Sequence, residues 1–466
     1  MAKRQNSFLP EDMPACLTAI YRMAAVNQPI KLYEGDIELE QGTKNASGKG
    51  LVQFVWLPRP GLSFFIDLPP TNMHWPELEN CTLHMPGMNW HAKAAVLGIS
   101  VSSSKGVHKA TGAVEDFEIG HDQYVTSIIV HIVNFTDYIG RSVCDEKRTK
   151  AWKGRGVIEA GEWRITLDKI EAAKQLFEEL KAIGGFAITH VGKLERLDGK
   201  KFAAKKSAKV LDALFRYLSF CHGAWVAPIL PVGFDENGDR VWEKWRNWKI
   251  ERWKNVDSWF NSHSEEGLSK GFPGFYEQWQ NEKWNEPLLL ANHWYVEANM
   301  SAGGVEGSII LAQAGFELLG WTHLVEEKLA LSEKGYEKLD AMDKLRLLLA
   351  MCGIPVAIPA SLPTLTTSAK ARGNQWKDGP QALTDVRNAL VHSSPAKRKK
   401  VFDEHHALVH EAWELSLWYL ELIILRICGY KGKYSNRVAG ARWRGEEVEA
   451  VRTGVAPNFQ SHGVGF

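Results

Sequence analysis

The sequence predicts a multidomain α+β protein, with an N-terminal antiparallel β domain, a mixed α/β middle region and a C-terminal all-α bundle. Three observations carry this prediction. Short β-rich runs separated by Gly, Pro, Asn and Ser clusters fill the first third of the chain. A helical run ending in Gly-Gly, followed by a tryptophan-rich stretch, marks a change of character after about 168. From 286 onward the apolar residues recur almost everywhere at helical spacing.

In order along the chain, 32–40, 50–57, 62–68 and 124–135 read as strands. Ile37 and Leu39, and again Val52, Phe54 and Trp56, alternate with polar or small neighbours, the period of half-buried antiparallel strands. A sandwich or barrel-like domain over 1–168 is the simplest packing of such strands. Residues 168–185 have helical spacing and stop at Gly184-Gly185, and 186–202 then reads as two strands around the Asp198-Gly199 turn. A further helix is expected over 203–222, within a middle region of 169–285. Helices are expected at 286–300, 305–328, 335–352, 380–393 and 401–428, within a helical domain of 286–430, followed by an extension of 431–466. The segment 355–380 carries four prolines and is expected to be a loop.

At 466 residues, with 45% apolar and 24% charged residues and a formal charge of +1, the chain has the composition of an ordinary globular protein. The near-neutral balance argues against a generally basic nucleic-acid coat, so any nucleic-acid binding must come from a local patch. Two basic residues near the start are followed by no apolar run, so no signal peptide is expected. The most apolar helix is interrupted by Glu421 and Arg426, which argues against a membrane span. Six cysteines are scattered singly, which suits a reduced, cytoplasmic protein without a disulfide or zinc framework.

Several motifs fail on inspection. The run 42–50, GTKNASGKG, has one residue too many between its glycines for a phosphate-binding loop, and Gly50 stands where a magnesium-holding hydroxyl belongs. His406 and His410 lie one helical turn apart beside Glu411. No third ligand stands at a recognisable position, so no metal or other cofactor is assigned. Eight of the 19 tryptophans fall between Trp242 and Trp294, interleaved with Lys244, Arg246, Lys249, Arg252 and Lys254. Such a pattern could stack single-stranded RNA. Packing of large apolar rings is the preferred explanation, because Glu243, Glu251 and Asp257 blunt the charge.

The most informative stretch is RNALVH, Arg387 to His392. Arg387 stays protonated and can grip a phosphate through two parallel hydrogen bonds, while His392 titrates near neutrality and can move protons. Asn388 and His392, four residues apart, share one helix face, whereas Arg387 is turned roughly 140° from His392 and depends on its length to reach the same place. These residues resemble the HEPN superfamily, all-helical domains whose signature is Arg, four to six residues, then His, with a polar residue after the Arg. Residues 292–300 and 307–321 are similar to the first two helices of the Apea-like HEPN branch, of abortive-infection type, and 417–438 to its last helix and exit. More weakly, 188–202 and the tryptophan-rich stretch resemble the middle region of YopA-like proteins.

The resemblance implies a metal-independent endoribonuclease that acts as a homodimer, with two motifs facing one cleft. The substrate's 2′-hydroxyl would attack the adjacent phosphate, with His392 as acid or base, Arg387 stabilising the phosphorane and Asn388 positioning it. Glu317, a carboxylate within an apolar helix, is expected to orient Arg387; a solvent-facing position is the alternative. Lys397, Arg398, Lys399 and Lys400 would hold RNA, or else form a solvated basic turn. Expected partners are an RNA substrate such as tRNA or mRNA, a second copy of the chain, and a trigger ligand or phage protein at the N-terminal domain, with no membrane. The rival reading is a non-catalytic HEPN module that dimerises or binds a ligand. A third, a toxin silenced by nucleotide addition, is disfavoured because Ser394 occupies the position where that motif carries Tyr.

Overall fold

The computed structural model describes residues 9–42, 44–68, 80–88, 90–102, 107–370, 376–391, 405–440, 443 and 445–451. The chain divides into two compact units, Met1–Phe215 with Trp225–Asn255, and Arg216–Ala224 with Val256–Phe466.

The first unit opens with a closed antiparallel barrel. Its strands are β1 (Ile30–Gln41), β2 (Lys44–Val55), β3 (Gly61–Leu68), β4 (Cys81–Met85), β5 (Trp90–Ser102) and β6 (Val107–Val114), in the order β1-β2-β3-β6-β5-β4. The period-two pattern explains its interior: Ile37, Leu39, Val52, Phe54 and Trp56 are all buried, while Glu34, Asp36, Glu38 and Glu40 face out. Closure leaves no edge strand, which suits strands with one apolar face. The GTKNASGKG run lies at the β1-β2 hairpin, with Gln41 opposite Lys44 and Gly35 opposite Gly50.

The strands that follow leave the barrel for a second sheet. These are β7 (Phe117–Ile119), β8 (Tyr124–Val125), β9 (Ser127–Val133), β10 (Arg141–Cys144), β11 (Ala151–Ala160), β12 (Trp163–Lys169), β13 (Ile188–Arg196), β14 (Phe202–Ala203), β15 (Ala227–Phe234) and β16 (Arg240–Trp245). Eight of them run in the order β10-β11-β12-β13-β9-β15-β16-β7. The boundary expected at 168 falls inside β12, which pairs with β13 in antiparallel register from Trp163 opposite Arg196 to Lys169 opposite His190. The expected hairpin around Asp198-Gly199 needs correction: β13 pairs with β12 and β9, whereas β14 pairs with β8. Helix α1 (Ala173–Ile183) packs Phe177 and Leu180 inward and stops at Gly184, whose φ of 68° a side chain would resist. Helix α2 (Ser207–His222) follows a short 3₁₀ turn.

The centre of this sheet holds a buried imidazole, His131 on β9. Its Nε2 accepts the backbone N–H groups of Ile20 and Tyr21 at 3.1 and 3.0 Å, which places the proton of the neutral ring on Nδ1, 3.4 Å from the Ile229 carbonyl. Burial pushes its pKa down to about 4, and the charge of Arg240 acts in the same direction. An unfolded chain has the usual value of about 6.5, so below that pH the unfolded state takes up a proton that the folded state refuses. The contribution is complete above about pH 6.5 and is lost as pH falls toward 4, a total on the order of 3 kcal/mol. Urea unfolding at pH 7 and pH 4.5 should show this loss, and His131→Gln should flatten it. Equal slopes in the two proteins would refute the assignment.

The second unit is mainly helical: α3 (Glu266–Gln280), α4 (Glu282–Asn299), α5 (Gly304–Trp321), α6 (Glu333–Glu337), α7 (Ala341–Met351), α8 (Pro363–Lys370), α9 (Gly379–Val391) and α10 (His405–Ile427), then a hairpin of β17 (Lys433–Ser435) and β18 (Val448–Ala450). The expected boundary at 285/286 falls inside α4, whose N-terminus is capped by Asn281 accepting the Lys283 N–H at 3.0 Å. The expected helix over 305–328 is α5 extended by a π-helical turn, Thr322–Glu327. The one expected over 335–352 is two helices, divided where Asp340 adopts extended backbone. The segment 355–380 is not all loop, because α8 lies inside it. Its first N–H groups, on Thr364 and Leu365, are taken by the Glu411 carboxylate at 3.0 and 2.8 Å, a cap supplied from α10.

Six of the eight tryptophans of the 242–294 stretch, Trp242, Trp245, Trp248, Trp259, Trp279 and Trp284, are buried packing residues, and Trp253 and Trp294 are half-buried. In the core of the helical unit Glu421 on α10 is fully buried beside Arg437. Glu421 accepts the Tyr295 hydroxyl at 2.7 Å and the Arg437 Nη2 and Nε groups at 2.6 and 3.1 Å, and Arg437 Nη2 also reaches Asn299 Oδ1 at 2.8 Å. Burial alone would lower the Arg437 pKa, but the Glu421 charge and hydrogen bonds outweigh it and hold the guanidinium firmly protonated. No described helix is long and apolar enough to cross a membrane.

Candidate functional site

Helix α9 positions Arg387 and Asn388. Pro380 suits its first turn, where a missing N–H costs nothing, and the Asp378 carboxylate accepts the Gln381 N–H at 3.0 Å. The same carboxylate takes a two-pronged bond from Arg346 on α7, at 2.6 and 3.0 Å, which fixes the start of α9. Gly379 allows close approach, since a Cβ there would lie 2.2 Å from the Tyr419 hydroxyl oxygen on α10. Ala382, Leu383, Val386 and Ala389 form the buried face, packed toward α5, α7 and α10.

Arg387 and Asn388 flank that face and are half-buried. Arg387 Nη1 donates to Asn388 Oδ1 at 3.0 Å, so the two polar groups of the motif touch. Arg387 Nε is buried and finds no acceptor, and no carboxylate among the described residues pairs with the guanidinium. One turn earlier the Thr384 hydroxyl is also buried without a partner. Thr384, Arg387 and Asn388 thus form an i, i+3, i+4 set of polar groups with unused hydrogen-bonding capacity. Sequence reasoning missed Thr384, although its spacing from Arg387 and Asn388 could have drawn attention to it. Leaving such groups buried and unpaired costs about 1–3 kcal/mol each, and an anion accepting from them removes that cost.

The other expected site residues are placed as follows. His392 directly follows Val391, the last residue of α9, and lies outside the described residues, as do Lys397, Arg398, Lys399 and Lys400. Glu317 on α5 is half-buried and bonds to Gln313 Nε2 and Lys344 Nζ, each at 3.2 Å. Its backbone carbonyl accepts the Tyr336 hydroxyl at 3.1 Å, and Lys344 lies over the Tyr336 ring, 4.8 Å from its centre. No hydrogen bond or ion pair joins Glu317 to Arg387 among the described residues. Its charge is answered by α7, and the first group holding Arg387 is Asn388. Glu411, considered beside His406 and His410 as a metal ligand, is occupied in capping α8. Among the described residues no three His, Cys, Asp or Glu groups converge as metal ligands.

Two family models match the chain: residues 120–256 match the YopA central domain, and residues 281–449 the YopA C-terminal domain. The SPbeta prophage-derived uncharacterized protein YopA of Bacillus subtilis (strain 168) is 30% identical over 423 residues, 89% of this chain and 92% of that one. No solved structure matches. The central-domain match covers β8 to β16 and the C-terminal match runs from α4 into β18, the helices that carry the candidate site included. On that coverage and identity the chain belongs to the YopA family.

Proposed function

We propose that the helical unit is a HEPN-type domain and that the chain is a metal-independent endoribonuclease. The observation that supports this best is the Arg387 guanidinium: tied to Asn388, half-buried, with Nε lacking an acceptor and no carboxylate partner among the described residues. A cation so placed is ready for a phosphate. In this reading the 2′-hydroxyl of an RNA gives up its proton and attacks its own 3′ phosphate, the bond from phosphorus to the 5′-oxygen of the next nucleotide breaks, and that oxygen takes up a proton. Arg387 stabilises the charge that builds on the phosphorane, and Asn388 fixes the angle of Arg387. His392, four residues beyond Asn388, moves the proton, and the basic run from Lys397 to Lys400 holds the RNA backbone. Glu317 serves the helical core through Lys344.

A chain with one motif completes a two-motif cleft only by pairing with its copy through an isologous contact. The target is an RNA of the host or of a competing phage, such as tRNA or mRNA, and the N-terminal β-rich region carries the trigger site. The prophage-derived origin in the name of the Bacillus subtilis relative suits a role in conflict between phage and host.

Purified protein incubated with RNA and EDTA should cleave it, and Arg387→Lys should not, because an ammonium cannot make the two-pronged contact. Cleavage undiminished by Arg387→Lys would remove Arg387 from the mechanism. Light scattering should report a dimer at assay concentrations. A fully active monomer would contradict the composite site.

A further inference from the structure

A separate cavity of about 270 Å³ lies in the helical unit, between the end of α10, the loop 353–359 and the β17-β18 hairpin. Nothing in the proposed nuclease chemistry uses it. Helix α10 contributes Trp418, Leu422 and Arg426, which recur every four residues and so share one face. Their neighbours Tyr419, Leu420, Ile423 and Ile424 are fully buried, whereas Trp418 and Leu422 retain 6% and 5% exposure. Between Leu415 and Leu425 the largest remaining exposure therefore lies on the cavity wall. Ile354, Pro355 and Ile358 form the facing apolar wall.

The cavity has two polar ends of different character. At one, Arg426 is half-buried. Its Nε donates to the Cys352 carbonyl at 2.8 Å, and no carboxylate pairs with it among the described residues. At the other, Glu449 accepts from the Tyr434 hydroxyl and from Asn436 Nδ2, and the Trp418 indole N–H donates to the same Tyr434 oxygen at 3.2 Å. The Glu449 end is thus already bonded within the protein, while Arg426 has no ion-pair partner among the described residues. Apolar walls with a few convergent polar groups are the usual makeup of a small-molecule site. A cavity of about 150 Å³ suffices for benzene, so this one has room for a ring and a short chain.

We propose that this cavity binds a small amphipathic anion: an aromatic or branched apolar body lies against Trp418, Leu422 and Ile358, and a carboxylate or phosphate monoester meets the Arg426 guanidinium. The anion supplies the charge that Arg426 lacks, and the body removes apolar wall from water. The proposal does not depend on the nuclease reading.

Ligand-observed ¹⁹F NMR on the full chain tests it with four probes: 4-(4-fluorophenyl)butanoate, its primary amide, the corresponding amine, and 4-fluorophenyl phosphate. The expected result is saturable line broadening with the carboxylate, the phosphate or both, and little with the amide or amine. The stronger of the two anions identifies the head group. Arg426→Met should weaken binding about tenfold or more, the usual effect of losing a charge-assisted bond, and Arg426→Lys should recover part of it. Ile358→Trp, on the loop, should fill the cavity and abolish binding with the melting temperature maintained. Absence of binding by both anions, equal binding of the amide, or anion binding unaffected by both Arg426→Met and Ile358→Trp would overturn the proposal.

Discussion

Replacing Arg387 or His392 with alanine should reduce RNA cleavage by about 10²- to 10⁴-fold, the usual cost of removing a group that moves a proton or stabilises charge in the transition state. Neither variant should lose much stability. Arg387 makes one side-chain hydrogen bond among the described residues, to Asn388, and its Nε bonds to nothing. Removing a buried donor that lacks an acceptor relieves a desolvation cost, so the Arg387→Ala melting temperature should equal or exceed that of the parent. This pairing of lost activity with kept stability separates a catalytic arginine from a structural one. If both variants cleave RNA at the parental rate, the nuclease reading fails and a binding or dimerising module takes its place.

Breaking the buried ion pair of the helical unit should have the largest effect on folding. Glu421→Gln or Arg437→Met alone should destabilise the protein by about 3–5 kcal/mol, because each leaves an uncompensated charge in a dry core. Tyr295, Asn299 and the Asp257 carbonyl would also lose their ionic partner or have to rearrange around it. The double variant Glu421→Gln with Arg437→Met should recover part of the loss, since neither charge then remains. Urea denaturation checks both statements. A single-variant loss below about 1 kcal/mol would mean that water reaches the pair.

The parts of the fold that were legible in the sequence are those fixed by local periodicity. Alternation at Ile37 and Leu39 and at Val52, Phe54 and Trp56 marks barrel strands, and the Gly184 stop ends α1 where the pattern ends. The helical character of the C-terminal region follows from its apolar spacing in the same way. What was not legible depends on remote partners. The large sheet joins β7 and β9–β13 to β15 and β16, and no local pattern indicates which strands pair across such separations. Asp198-Gly199 has hairpin chemistry, yet β14 is claimed by β8. Helix α8 sits in a proline-rich segment because Glu411, far along the chain, caps it.

The site shows the same division. Contact between Arg387 and Asn388 rests on the length of the arginine, since neighbours on a helix point about 100° apart, and the buried Thr384 hydroxyl one turn earlier could have been found by its i, i+3, i+4 spacing. The partner of Glu317 could not, since Lys344 reaches it from another helix. Likewise Glu421, read in the sequence as a charge that interrupts an apolar helix, is held in the core by Arg437 from beyond that helix.

The proposed reaction is attack by the 2′-hydroxyl on its own phosphate, driven by side chains. Its most direct test is the chemistry of the ends left by the purified chain on a defined RNA in the presence of EDTA. The expected products carry 2′,3′-cyclic phosphate and 5′-hydroxyl ends, the same sequence with 2′-deoxyribose at the cut position stays intact, and Arg387→Ala abolishes the products. Products with 3′-hydroxyl and 5′-phosphate ends, cleavage of the deoxy substrate, or no cleavage at all would overturn it.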